Sequence, residues 1–123
     1  MTSTSHRSHS RDRPDEILDH AAALHHCDGD VELLHEVAAL FLDDCPRRLA
    51  DLRDAGERQD AKALENAAHS LKGSAGNFGA EAAVAAAERL EQMARAEDLT
   101  DAAAACIALE EEIGRLCTAL GRL

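Results

Sequence analysis

The chain contains no Trp, no Tyr and only two Phe, so it lacks the aromatic platforms on which proteins stack nucleic-acid bases. β-Branched apolar residues are almost as scarce, with three Val and three Ile among 123 residues. Sheets favour β-branched and aromatic side chains, so a β-sandwich or barrel is disfavoured from the outset. Positive charge is short as well. Thirteen Lys and Arg stand against 24 Asp and Glu, a net charge of −11, which argues against phosphate backbones and anionic lipid surfaces. Neither nucleic acid nor membrane is an expected partner. No apolar run approaches the ~20 residues that span a bilayer. The opening residues, MTSTSHRSHSRDRP, carry no apolar segment, and no secretory signal is expected. The four cysteines, Cys27, Cys45, Cys106 and Cys117, form no CxxC pair and predict neither zinc nor redox chemistry. Reduced thiols in a cytoplasmic protein are the expectation.

What the chain does have is Ala and Leu, 26 and 16 residues respectively, the leaders of the helix scale. One all-α domain follows from that composition and from the length. Residues 1–13 hold six Ser or Thr, two His and three Arg without apolar periodicity, and read as a disordered polar tail. The folded part is expected over 14–123. Pro14 suits a first helical turn, and a short helix carries Ile17, Ala21 and Leu24 on one side, ending before Gly29. Asp30 is a good N-cap for a helix whose stripe is Val31, Leu34, Ala38, Phe41, Cys45 and Leu52. Pro46 is expected to bend that helix rather than end it, and residues 54–59, with Gly56, to form the next turn. A third helix starts near Asp60 with Leu64, Ala68, Leu71, Ala75 and Phe78 inward, closed by Gly79. A fourth spans about residues 80–95 with Val84, Ala87, Leu90 and Ala94 inward. The fifth, after Thr100, continues the register of Leu99 with Ala102, Cys106, Leu109, Ile113, Leu116 and Leu120. Narrow apolar stripes with short connections predict an antiparallel four-helix bundle with a short additional N-terminal helix. Cys45 and Cys106 fall on those stripes as core residues.

The third helix is unusual. On a helical wheel His69 lies about 140° from the centre of the apolar stripe, Gly73 about 180° and Gly76 about 120°, so all three face solvent. Lys62 and Lys72 flank them. Glycine within a helix costs about 0.5–1 kcal/mol relative to Ala, in a sequence that otherwise uses Ala freely. Bare glycines beside an exposed histidine let another molecule's surface approach the imidazole.

The run Ala68-His69-Ser70-Leu71-Lys72-Gly73-Ser74-Ala75-Gly76-Asn77-Phe78-Gly79-Ala80 resembles the signature of histidine-containing phosphotransfer (HPt) domains, which pass phosphoryl groups between receiver domains. Gly29-Asp30-Val31-Glu32-Leu33-Leu34, then Phe41-Leu42 and Pro46, resemble the family's opening segment. Leu90-Glu91, Glu97-Asp98-Leu99 and Leu109-Glu110 resemble its closing helices, so the likeness covers about residues 15–120. It implies that His69 is the phosphoacceptor, that Lys72 contacts the phosphoryl group as a point charge, and that Gly73 keeps the docking surface open. Gly76, Lys62 and Ser70 belong to the same expected surface. Gly76 departs from the family, many members of which carry a larger residue there. The implied partners are receiver domains of a hybrid sensor histidine kinase or a response regulator, served by a monomeric phosphocarrier rather than an enzyme. No cofactor is expected on this chain. The resemblance implies that the receiver supplies the aspartate and Mg²⁺.

Three competing readings stand beside this one. His6 and His9 in the tail, or His20, His25, His26 and His35 near Cys27, suggest a metal site. Adjacent His25 and His26 point about 100° apart on any helix, however, and share no face, and no metal is expected. An enzyme using His69 as general base needs a pocket and an orienting carboxylate, and an exposed helix with bare glycines predicts neither. The third reading is a bundle that docks receivers without carrying phosphate. The presence of His69 and Lys72 together argues against it.

Overall fold

The computed structural model describes residues 17–123. The expected tail and the helix start at residues 14–16 lie outside them. Within the described residues are five helices and no strand: α1 (His20–His26), α2 (Val31–Glu57), α3 (Ala61–Gly76), α4 (Glu81–Arg95) and α5 (Ala102–Leu120). Consecutive long helices pack on each other, and α2 also meets α5, which closes the ring expected of an antiparallel four-helix bundle.

Aspartates start three of the helices. Asp19, Asp30 and Asp60 accept from the backbone N–H of Ala22, Leu33 and Ala63 at 3.0–3.1 Å, each satisfying a donor with no intrahelical partner. The stripes then assemble one core. Leu34, Leu52, Leu64, Leu71, Leu90, Leu109, Ile113 and Leu116 are its largest fully buried aliphatic side chains. The Phe41 and Phe78 rings tilt against each other at 5.6 Å between centroids. Cys45 and Cys106 are buried, as their positions on the stripes predict. Pro46 lies within α2 without ending it.

Four expectations are corrected. Helix α1 begins at His20, beyond the helical Ile17, and its buried residue is Ala23 rather than Ala21. Asp19 sets this face, because its carboxylate caps the helix while its own N–H donates to the Phe78 carbonyl at 3.0 Å. Val31, the first residue of α2, is exposed because the stripe reaches the core only from Leu34. Residues 54–57 are not a turn. Ala55 is in the core, so α2 continues to Glu57, and the reversal falls at Gln59 with φ 51°. In α4, Val84 is only partly buried, whereas Ala83 and Glu91 are buried.

Gly79 holds α1 in place. Its φ is 63°, and a Cβ there would sit 2.5 Å from that of Asp19. Only glycine allows both the left-handed backbone and that approach.

Candidate functional site

The α3 stripe fixes which side chains point outward. Ala68 and Leu71 are buried to 0% and 1% exposure, and His69, one step from Ala68, is 70% exposed in its side chain. Gly73 and Gly76 are both within α3, and a Cβ at either would meet nothing within 4 Å. The strip beside His69 is therefore open, as the glycines predict.

Beneath the imidazole lies a group that the sequence reading did not single out for a role. Glu91 of α4 is 3% exposed and reaches α3 from below. Its Oε2 is 2.8 Å from His69 Nδ1 and accepts from Arg95 Nη2 at 2.9 Å. Its Oε1 pairs with Lys72 Nζ at 2.7 Å. A buried carboxylate is costly unless paired and hydrogen-bonded, and here every interaction meets that need. The Lys72 ammonium is the main reason that the Glu91 carboxyl is held below its ordinary value of 4.5. Burial opposes it and His69 adds to it. Glu91 is thus a carboxylate at neutral pH, and an ionised carboxylate only accepts hydrogen bonds. That requires Nδ1 of His69 to carry a proton, so that in the neutral imidazole the free lone pair is on Nε2.

The network extends outward. Arg95 Nε donates to Glu65 Oε2 at 3.1 Å, and Lys62 Nζ lies 3.8 Å from Glu65 Oε1. Around His69, three cations (Lys62, Lys72 and Arg95) face two carboxylates (Glu65 and Glu91). These cations gather beside His69 on a chain of net charge −11, where they can meet an approaching anion. Lys72 is 29% exposed and leans onto Glu91 rather than standing free.

On the other flank, α2 meets α3 through Arg48. Its Nη1 donates to the Ser70 and Ser74 hydroxyls at 2.9 and 2.8 Å, while its Nε donates to Asp44 at 2.6 Å. The hydrogen bond from Arg48, and after it that from Arg47, holds the Asp44 carboxyl below its usual range. Ser70 is therefore anchored to α2, on the opposite side of His69 from Glu91. Beyond Ser74 runs an open groove of about 420 Å³ bordered by Val37, Leu40, Asp44 and Asn77. Leu40 on its rim is 69% exposed.

Structure thus brings together His69, Lys72 and, through Glu65, Lys62, and sets Gly73, Gly76 and Ser70 along the same exposed face. It corrects one expectation: an orienting carboxylate for His69 does exist. The signal was available, because Glu91 stands four residues after Ala87 and three before Ala94, the spacing of the buried face of α4. The imidazole itself stays on open surface rather than in a pocket. His20, His25, His26 and His35 are exposed, and no group of three or more His, Cys, Asp or Glu among the described residues is arranged to hold a metal ion.

The profile of the Hpt domain family matches residues 36–119 of the chain. Among solved structures, the HPT domain of a hybrid sensor histidine kinase from Shewanella superposes with a TM-score of 0.75 at 18% identity, covering 88% of this chain and 93% of that one. At that identity the likeness is one of fold. No curated protein matches the chain in sequence.

Proposed function

The chain belongs to the Hpt domain family, and from that premise we propose that His69 accepts a phosphoryl group on Nε2 from a receiver-domain aspartate and passes it to, or takes it back from, a second receiver. Members of this family are phosphocarriers of two-component relays rather than enzymes in the strict sense. The observation that carries the residue assignment is the 2.8 Å contact of His69 Nδ1 with the buried Glu91 carboxylate, above which Nε2 alone is free.

In the transfer, the Nε2 lone pair attacks phosphorus in line, the N–P bond forms, and the bond from phosphorus to the aspartate oxygen breaks, returning the carboxylate. The imidazole gains positive charge as it bonds, and Glu91 stabilises that charge through Nδ1–H. Phosphoryl transfer depends on positioning and charge neutralisation more than on covalent help from the protein. Lys72 holds Glu91 and lends its charge to the arriving phosphoryl oxygens. Gly73 and Gly76 leave room for the receiver, whose contact extends along Ser70 and Lys62 and onto the groove at Leu40. The aspartate and Mg²⁺ come from the receiver and no cofactor from this chain. We place this exchange in the cytoplasm, with the protein acting as a monomer built on residues 14–123. Among the described residues no helix is long and apolar enough to cross a membrane.

Incubation with phosphorylated receiver domains tests this reading. Acid-labile phosphate should appear on the wild-type chain and not on His69→Gln, which should stay folded at a cost of no more than about 1–2 kcal/mol, because the contact to the buried Glu91 carboxylate is altered while Lys72 and Arg95 still pair it. Phosphate retained on the variant would falsify the assignment. Receiver binding with no labelling of the wild type would instead identify a docking module that carries no phosphate.

A further inference from the structure

Away from His69, α2 and α5 meet where two thiols face each other. Cys45 on α2 is 4% exposed, Cys117 on α5 is half-buried, and the Cys117 S–H donates to Cys45 Sγ at 3.2 Å. The two residues are 72 positions apart, so their spacing in the sequence gave no hint of a pair. Neither belongs to the His69 network. Cys106 lies elsewhere on α5, against Gly56.

Two further features bear on the pair. A cleft of about 390 Å³ opens over it, bordered by Leu42, Pro46, Leu49 and Arg53 together with both cysteines. A small solute therefore reaches the sulfurs from solvent. The thiols also differ: burial, and then the hydrogen bond to Cys45, push the Cys117 thiol up to about 12. Cys117 thus keeps its proton and directs it at Cys45, whose sulfur also borders the cleft.

We propose that Cys45 and Cys117 form a modification site, a dithiol that a two-electron oxidant of the peroxide class closes into a disulfide joining α2 to α5. The Cys45 thiolate attacks one peroxide oxygen, the O–O bond breaks, and the departing hydroxide takes up the proton that Cys45 released, leaving as water with a sulfenic acid on Cys45. The Cys117 sulfur then attacks the Cys45 sulfur. The S–S bond forms, the S–O bond breaks, and the hydroxyl leaves with the Cys117 proton as a second water. Two thiols and one hydrogen peroxide give one disulfide and two waters, with two electrons passing from sulfur to oxygen. The sulfurs must close from 3.2 Å to the ~2.05 Å of a disulfide, a movement of side chains already in contact. The bridge spans a long loop and so constrains the unfolded chain. It touches neither α3 nor α4, so the oxidised protein keeps its phosphotransfer.

Treating the purified full-length chain with hydrogen peroxide tests this. Expected are the loss of two hydrogens in the intact mass, a Cys45–Cys117 linked peptide in a non-reducing digest, and a melting temperature higher by roughly ten degrees, all reversed by dithiothreitol. Cys117→Ser and Cys45→Ala should each abolish the linked peptide and the rise in melting temperature. The wild-type peptide map decides the matter even if a variant folds poorly. Oxygen atoms added to single thiols without a bridge would overturn the proposal. So would a bridge to Cys27 or Cys106, or one between two chains.

Discussion

Two seams of this bundle are built on opposite rules. Where α2 meets α5, the contacts are thiol on thiol at Cys45 and Cys117 and backbone on thiol at Gly56 and Cys106, with one ion pair, Arg53–Glu110, at the solvent edge. Where α3 meets α4, a carboxylate lies buried under a histidine and draws in a lysine and an arginine. Burying charge is expensive even when it is paired, and an apolar replacement often matches or exceeds its stability. A bundle shaped for stability alone would use the α2–α5 pattern on every side. The α3–α4 seam instead gives up some stability to fix one imidazole, the nitrogen of which must be aimed.

The contrast breaks most visibly in the core. Leu109→Ala, at a fully buried α5 position, should cost about 2–5 kcal/mol in chemical denaturation, while the folded fraction still transfers phosphate at the wild-type rate. A matching loss of rate would mean that the seams are not separable.

Glu91→Gln should do the reverse. Transfer should slow about tenfold to a hundredfold, because an amide no longer dictates the tautomer or stabilises the imidazolium. Stability should fall only by about 1–3 kcal/mol, since Lys72 and Arg95 can turn to solvent. Glu91→Leu sharpens the point, with transfer slowed as in Glu91→Gln and stability recovered in part. Single-turnover transfer beside denaturant titration measures both quantities, and equal losses in the two would remove Glu91 from the chemistry.

At the surface the effects separate again. Gly73→Ala should stabilise by ~0.4–1 kcal/mol, its Cβ meeting open space. Gly73→Gln should sharply reduce transfer from receivers yet leave labelling by phosphoramidate, a donor too small to need the docking strip. If receiver transfer by Gly73→Gln equals wild type, the glycines do not form a docking surface.

The smallest effect lies in acid. The Glu91 carboxyl is lowered in the fold from an ordinary 4.5. The unfolded chain therefore binds its proton first, and the stability that Glu91 contributes is intact above that value and lost as pH falls below it. Thermal melts from pH 6 to about 3 should show a steeper acid limb in wild type than in Glu91→Gln. Superimposable limbs would contradict the pairing.

Much of this was legible in the residues. Periodicity in α3 and α5 named nearly every buried side chain, since an Ala- and Leu-rich helix has one apolar face and little ambiguity. His69, Gly73 and Gly76 stood out because each breaks a rule that the rest of the chain keeps. Three features stayed hidden for physical reasons. Asp19 resets the first helix through a tertiary hydrogen bond to Phe78, which no local pattern encodes. The spacing of Glu91 with Ala87 and Ala94 marks it as facing inward, but its partners His69 and Lys72 come from α3 and are set only by the packing of the two helices. Cys45 and Cys117 meet only because α2 and α5 close the ring.

The central claim is that Glu91 holds Nδ1 of His69 so that Nε2 carries the phosphoryl group. ¹⁵N and ³¹P NMR of the phosphorylated protein tests it directly. The account predicts protonated Nδ1 on His69 before transfer and phosphorus coupled to Nε2 of that residue after it. Phosphorus bonded to Nδ1, or to any other of the seven histidines, would contradict it.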